Sequence, residues 1–261
     1  RPSRIPMLDG ALLLHRLELH QGADGDRSAV LDAELEPLNM SALSRALGWP
    51  VFRGKLSGRL PTLTYRNGVA RLGGELTASV FGGEVSVDGL SLQDPLGELP
   101  EVSARVHLRR LDLEALTDTF DFGRISGSLS GDVDNLRLIG WQPAEFRAWF
   151  YTPDNDRRDH RISQRAVKNL ASIGGGGAAA VLSQGFLKFF ERFSYDRIGL
   201  GCVLKEDVCL MKGLAPVDDG YYIVRGSGLP RVDVVGHERA VRWSTLVEQL
   251  RSVTTAAPVV K

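Results

Sequence analysis

Leu38-Asn39-Met40-Ser41-Ala42-Leu43 is followed, 73 positions later, by Leu111-Asp112-Leu113-Glu114-Ala115-Leu116. At the same offset Gly54-Lys55-Leu56-Ser57-Gly58-Arg59-Leu60-Pro61-Thr62-Leu63 returns as Gly127-Ser128-Leu129-Ser130-Gly131-Asp132-Val133-Asp134-Asn135-Leu136. Two blocks that keep one register form a duplicated unit, about 38–63 and 111–136, which reads as a short helix followed by strands. Tandem β-rich units lengthen a surface instead of closing one compact pocket. The pattern points to a protein that holds something long rather than one that does chemistry at a point.

Outward from the repeat, strand signals dominate. Leu12, Leu14, Leu17 and Leu19 alternate loosely over residues 11–20 and suggest a first strand; Ser41–Leu47 is the first short helix. Lys55–Arg66 and Val69–Phe81 flank Asn67-Gly68, the strongest short-range hairpin signal in the chain. Gly82-Gly83 makes the next turn, Glu84–Leu92 returns, and Pro95 and Pro100 bracket a loop. Val102, Ala104, Val106 and Leu108 alternate with Ser103, Arg105, His107 and Arg109, the mark of a strand with one apolar face. Leu113–Thr119 is the second helix, and strands come next near Ile125–Leu138 and Glu145–Thr152. The spacing then turns helical. Ile162–Ile173 and Ala178–Phe193 read as a helical pair (162–193) joined at Gly174–Gly177. Hairpins and a closing helix, about Thr245–Val253 with Ser244 as its N-cap, fill 195–252, and 253–261 reads as a loose tail. The expected fold is mainly β (α+β), a single domain over 1–252 built as a long antiparallel meander with short helices and the inserted helical pair.

Composition narrows the function. The formal net charge is zero, which argues against binding nucleic acid through its phosphates. No stretch approaches the ~20 apolar residues that span a bilayer. The chain opens at Arg1-Pro2-Ser3 with no initiating Met and no signal-peptide pattern, so it reads as a fragment of a longer polypeptide.

The two cysteines, Cys202 and Cys209, flank a polar turn centred on Lys205 and Glu206. With that turn they stand opposite each other across a hairpin, at the spacing a disulfide requires; two buried free thiols are the alternative. A disulfide would place the chain in an oxidising compartment.

No catalytic constellation emerges, and the expectation is a non-enzyme with no cofactor and no metal. Asp154-Asn155-Asp156-Arg157-Arg158-Asp159-His160 gathers carboxylates and a histidine, but its sixth and twelfth positions hold Asp159 and Arg165, where a calcium loop needs Gly and Glu. It reads as a solvated surface loop. Gly174–Gly177 lacks the Gly-Lys-Ser/Thr ending of a phosphate-binding loop and reads as a joint whose small residues allow close helix packing. The histidines (His15, His20, His107, His160, His237) form no pair at metal-ligand spacing. Phe186, Phe189, Phe190 and Phe193 share one face of the expected second helix, either as core or as a cap that touches lipid or a partner protein.

Several segments together resemble the C-terminal region of AsmA-like proteins of Gram-negative envelopes, close to the YdbH branch and related to TamB. They are Ile162–Leu170, Gly174–Gly177, Gly185-Phe186-Leu187-Lys188-Phe189-Phe190, Tyr195–Leu200, the cysteine hairpin and Gly228–Gly236. Upstream, the Gly-x-Leu-Ser-Gly strands and Phe81-Gly82-Gly83-Glu84-Val85 are similar to the family in a less specific way. The resemblance implies a periplasmic segment of a protein whose upstream part is anchored in the inner membrane. Its long curved sheet would form a taco-like groove that carries phospholipid between inner and outer membranes. Candidate groove residues are Leu56, Leu76, Val80, Val85, Val87, Val102, Val106, Leu108, Leu129, Val133, Phe146 and Phe150; each is equally readable as part of a closed β-core, since alternation does not say what covers an apolar face. The other reading is a non-enzymatic interaction module whose Phe-rich helix docks an outer-membrane protein.

Overall fold

Among the described residues the chain folds mainly as antiparallel β-sheet, with strands taking 61% of them and helices 16% in the computed structural model. That structure describes residues 3–21, 27–47, 51, 54–95, 97–175 and 190–254. Five hairpins close through two-residue turns with both residues at positive φ: Leu8-Asp9, Asn67-Gly68, Phe81-Gly82, Gly140-Trp141 and Glu206-Asp207. This mirror-image turn geometry matches the right-handed twist of the strands it joins. Contacts divide the chain into two compact units, residues 1–109 with 132–147 and residues 110–131 with 148–261.

In the first unit β1 (Ser3–Met7), β2 (Gly10–Gln21) and β3 (Arg27–Asn39) pair in succession, and α1 (Met40–Leu47) comes after them. β4 (Gly54–Arg66) returns along β3 and is long enough for two partners, β5 (Val69–Leu72) on its second half and β6 (Leu76–Val80) on its first. β7 (Gly83–Gln93) pairs with both of these, and β8 (Glu101–Asp112) pairs with β7. Bulges fall between Leu14 and Arg16, Leu31 and Ala33, Leu35 and Leu38, and Asp88 and Ser91.

Next come α2 (Leu113–Thr119), β9 (Ile125–Ser126), β10 (Ser128–Ile139), β11 (Gln142–Tyr151), β12 (Arg161–Ser163) and α3 (Gln164–Ile173). β13 (Arg192–Lys205), β14 (Val208–Gly213), β15 (Pro216–Val217), β16 (Gly220–Ser227), β17 (Val234–Gly236), β18 (Ala240–Arg242) and α4 (Trp243–Thr254) complete the described chain. In the second unit β12 lies between β9 and β13, β16 pairs with β13, β15 and β17, and β14 lies between β13 and β18. α3 packs on β17 and α4. Its Ala166, Val167, Leu170, Ala171 and Ile173 are buried with Ile162, Phe193, Tyr195, Ile223, Val224 and Val234, a two-layer core. Gly174 lets the helix end against the sheet: a Cβ there would stand 2.7 Å from Ile223 Cδ1 and 2.8 Å from Gly236 Cα.

Residues 73 apart do the same work. Asn39 Oδ1 accepts from the N–H of Ser41 (2.9 Å) and Ala42 (3.3 Å) at the start of α1; Asp112 Oδ1 accepts from Glu114 (2.9 Å) and Ala115 (3.1 Å) at the start of α2. The buried hydroxyls of Ser44 and Thr117 donate to Met40 O and Leu113 O, each at 2.7 Å. Leu38 and Leu111, then Met40 and Leu113, are buried. Gly54 (φ +150°) and Gly127 (φ +125°) both enter the next strand in a backbone region closed to other residues.

Several expectations are corrected. Residues 176–189, with Phe186 and Phe189, lie outside the described residues, but the end of the expected second helix is not helical. Phe193 is a β13 residue paired with Ile162 and fully buried, because Phe193 and Tyr195 alternate into the core at the two-residue period of a strand. Phe190 lies before β13 and is 39% exposed. The disulfide Cys202–Cys209 is present with Cα atoms 5.5 Å apart, yet the two residues are not opposed. The turn sits at Glu206-Asp207, so Cys202 pairs with Met211 and Cys209 with Leu204, and the bond joins diagonal neighbours on one face. The turn before β7 is Phe81-Gly82, with Gly83 already in the strand. α4 begins at Trp243, whose N–H donates to Asp207 O, which places Ser244 inside the helix.

Replacing Asp112 by Ala removes the α2 cap and costs about 1 kcal/mol. Gly127→Ala adds backbone strain and a Cβ 2.5 Å from Tyr195 Oη, and costs more, about 3 kcal/mol. Urea unfolding of the two variants checks that order; equal or reversed losses would refute the role given to Gly127.

Candidate functional site

Cross-strand pairing in the first unit lines apolar residues into rows on one face of the sheet. One row runs Ile5, Leu12, Leu35, Gly58, Leu76, Val87, Val106, through β1, β2, β3, β4, β6, β7 and β8. At the ~4.8 Å spacing of paired strands it is roughly 30 Å long. Beside it Leu38, Leu56, Ala78, Val85 and Leu108 form a second row. Two more rows run Leu17, Leu31, Leu63, Leu72 and Leu19, Ala29, Tyr65, Ala70, Leu92, Val102. Paired residues share a face, so these rows are one apolar wall.

Much of the wall is open to solvent. Leu12, Leu35, Leu56, Leu76, Val85, Val87, Val106 and Leu108 are partly exposed, and Ile5, Leu17 and Leu19 reach 48%, 54% and 74%. Among the described residues of the wall and its margins, Leu38, Leu72, Val80, Val102 and Ala104 are buried, with Ala33 between them. A leucine at Leu76 leans over Gly58, where a Cβ would stand 2.9 Å from Leu76 Cδ2. At the corresponding position of the repeat Phe150 lies over Gly131, with Cδ1 2.6 Å from where a Cβ would be.

Of the residues expected to line a groove, Leu56, Leu76, Val85, Val87, Val106 and Leu108 come together in the two adjacent rows. Val102 falls in the fourth row, and Val80, paired with Gly54 and Gly83, is buried. Leu129 and Val133 flank Gly131 on β10 and are partly exposed, Phe150 is partly exposed, and Phe146 is buried. Sequence reading missed the contributions of β1 and β3. In β3 the alternating Ala29, Leu31, Ala33 and Leu35 are interleaved with Asp32, Glu34 and Glu36, residues that disfavour strands.

The opposite face is polar. Ser79–Glu84–Arg109, Ser57–Thr77–Ser86–His107 and Asp88–Arg105 are paired across it. His107 sits between two carboxylates, its Nδ1 2.7 Å from Asp132 Oδ1 and its Nε2 3.0 Å from Asp88 Oδ2. The hydrogen bond to Asp132, then that to Asp88, raises the His107 pKa above the ordinary histidine value despite partial burial. Arg105 Nε donates to Asp88 at 2.7 Å, and this contact, with His107 second, holds the Asp88 carboxyl below the usual range.

The acidic loop of the second unit is only partly the solvated loop expected. Asp154 and Asp159 are more than 80% exposed, but the Asp156 carboxylate is 2% exposed. It accepts from Ser128 N (2.6 Å), Ser128 Oγ (3.1 Å), Arg158 N (3.3 Å) and His160 Nε2 (3.2 Å). Burial opposes its charge, and these donors more than offset burial, so its pKa is lowered. His160 stacks on Tyr195, whose hydroxyl donates to Ser126 O at 2.6 Å. Both oxygens of Asp156 are engaged in holding the loop.

A histidine with a raised native pKa stabilises the fold fully below its unfolded value, about 6.5, and loses that contribution as pH rises through the higher native value. Urea midpoints of the wild type should therefore fall from pH 6 upward more steeply than those of His107→Gln. Parallel profiles would contradict the bridging role of His107.

Comparison with known proteins finds no matching family model, no matching curated protein and no matching solved structure.

Proposed function

We propose that the first unit is a lipid-binding segment whose apolar wall carries phospholipid acyl chains across the periplasm between inner and outer membranes. The observation that supports this reading is the wall itself: registered rows of Leu, Val and Ala crossing up to seven strands, with most side chains left partly exposed. An apolar surface of that extent is costly in water and marks a binding face. An acyl chain laid along a row removes its own methylenes and the wall from water together, at ~0.8 kcal/mol per CH₂. The headgroup stays in solvent at the margin, so the site needs neither a catalytic residue nor a cofactor. Transfer then depends on length: neighbouring positions along the wall are chemically alike, so a chain can slide with little change in energy.

The Cys202–Cys209 disulfide supports an oxidising compartment, in keeping with the periplasm. The likeness to AsmA-like envelope proteins points the same way.

A photoreactive amino acid at Val106, on the wall, should crosslink phospholipid when the chain is made in cells and irradiated. The same group at His107, one residue on and on the polar face, should give little lipid adduct. Equal yields at the two positions, or adduct at neither, would overturn the reading.

A further inference from the structure

Register also sorts the two faces of the cysteine hairpin in the second unit. Across β13, β14 and β18, Leu204, Cys209 and Val241 share one face with Cys202 and Met211, and all five are buried. Their alternates form the other face. Lys205, Val208 and Arg242 make one row, Val203, Leu210 and Ala240 the next, and Gly201 with Lys212 the third. Leu210 is 55% exposed, and Val208, Ala240, Lys205, Lys212 and Arg242 are exposed with it. Gly201 has no side chain, and Trp149 of β11 lies in its place: a Cβ there would stand 2.7 Å from Trp149 Cε3. Lys212 Nζ sits 5.1 Å from the centre of that ring. An apolar row is thus flanked by cations on both sides, and no residue of the three rows is acidic. Among the described residues no carboxylate pairs with Lys205, Lys212 or Arg242. The acids next to them in the chain, Glu206 and Asp207, belong to the turn.

Cations without counter-charges around an exposed leucine and valine fit a partner that is anionic and apolar at once. β13 and β18 occupy both edges of β14, so a peptide cannot add to it as a strand and is left with side-chain contacts alone. A bilayer surface needs no backbone pairing. We propose that this face of β13, β14 and β18 docks on an anionic phospholipid membrane, with Leu210 and Val208 in the acyl boundary and Lys205, Lys212 and Arg242 at the phosphates. Long basic side chains keep their charge among headgroups while their stems cover apolar surface. A tryptophan favours the same boundary. This reading concerns the surface of a membrane, whereas the wall of the first unit concerns acyl chains withdrawn from one, and neither proposal depends on the other.

The test places an environment-sensitive nitrobenzoxadiazole fluorophore on Leu210→Cys in the whole chain, whose own two cysteines are bonded to each other. With vesicles of phosphatidylglycerol and phosphatidylcholine in equal parts, the emission should rise and shift to the blue. With phosphatidylcholine alone, which can still load the wall, it should not change. The same fluorophore on the exposed Asp159→Cys, beside β12 at the far end of β13, should stay silent. Lys205→Gln, Lys212→Gln and Arg242→Gln together should weaken vesicle binding about a hundredfold, at roughly fivefold for each basic residue near an anionic surface. All three positions are exposed, and circular dichroism checks that the variant folds. No response at Leu210 to anionic vesicles, an equal response to neutral ones, or binding indifferent to the triple change in folded protein would each overturn the proposal. A fluorophore silent on vesicles but responsive to polyaspartate would overturn it in favour of an acidic protein partner.

Discussion

Everything distinctive about the first unit depends on strand register. Side chains alternate with a period of two, so a slip of one residue would turn every leucine of a strand to the opposite face. The apolar residues do not keep that period throughout. Leu14 to Leu17 and Leu35 to Leu38 are steps of three, and Val87 to Leu92 is a step of five. At each such step a bulge falls in the ladder, between Leu14 and Arg16, between Leu35 and Leu38, and between Asp88 and Ser91. A bulge inserts one residue and restores the facing of the strand beyond it. The wall is continuous because the bulges occur where the sequence changes phase, and the charged network of Asp88, Arg105 and His107 stays on the other side for the same reason.

The two units solve the burial of a sheet differently. In the second, α3 covers the strands, and Phe193, Tyr195, Ile223, Val224 and Val234 are sealed beneath it with the helix's own apolar residues. The Cys202–Cys209 bond, joining diagonal neighbours of a hairpin, lies buried in the same unit. In the first, the one helix among the described residues is α1, whose eight residues contact β3 and β4 alone among the elements it touches substantially. Two halves with the same repeated motif, the same capped helix and the same left-handed glycine thus differ in how deeply their described apolar residues are buried. The duplication supplies a common frame, and the residues around it decide how that frame is used.

Much of this is legible in the sequence, for local reasons. Asn67-Gly68 announces its hairpin because those residues tolerate positive φ, and the 73-residue offset finds both capped helices because Asn39 and Asp112 carry side chains that accept helix N–H groups. Leu8-Asp9, Phe81-Gly82, Gly140-Trp141 and Glu206-Asp207 adopt the same kind of turn with weaker local signals. The cysteine hairpin therefore reads two residues out of register from sequence, with its disulfide placed across instead of diagonally. β3 is hidden by its acidic residues, and Phe193 by aromatic spacing that suits a helix as well as a strand. The pairing of His107 with Asp88 and Asp132, 19 and 25 residues away, is set by topology and has no local signature. Nor does the burial of Asp156, which depends on where Ser128 and His160 are brought.

The central claim is that the apolar wall of the first unit is covered by lipid and not by protein. Thiol accessibility at Val87→Cys, in the middle of the longest row, tests this most directly. After the chain has been stripped of lipid, a hydrophobic maleimide should label that thiol rapidly, and phospholipid vesicles added beforehand should slow the labelling. A thiol that stays shielded in the stripped, folded chain would mean that the wall is closed by the protein itself.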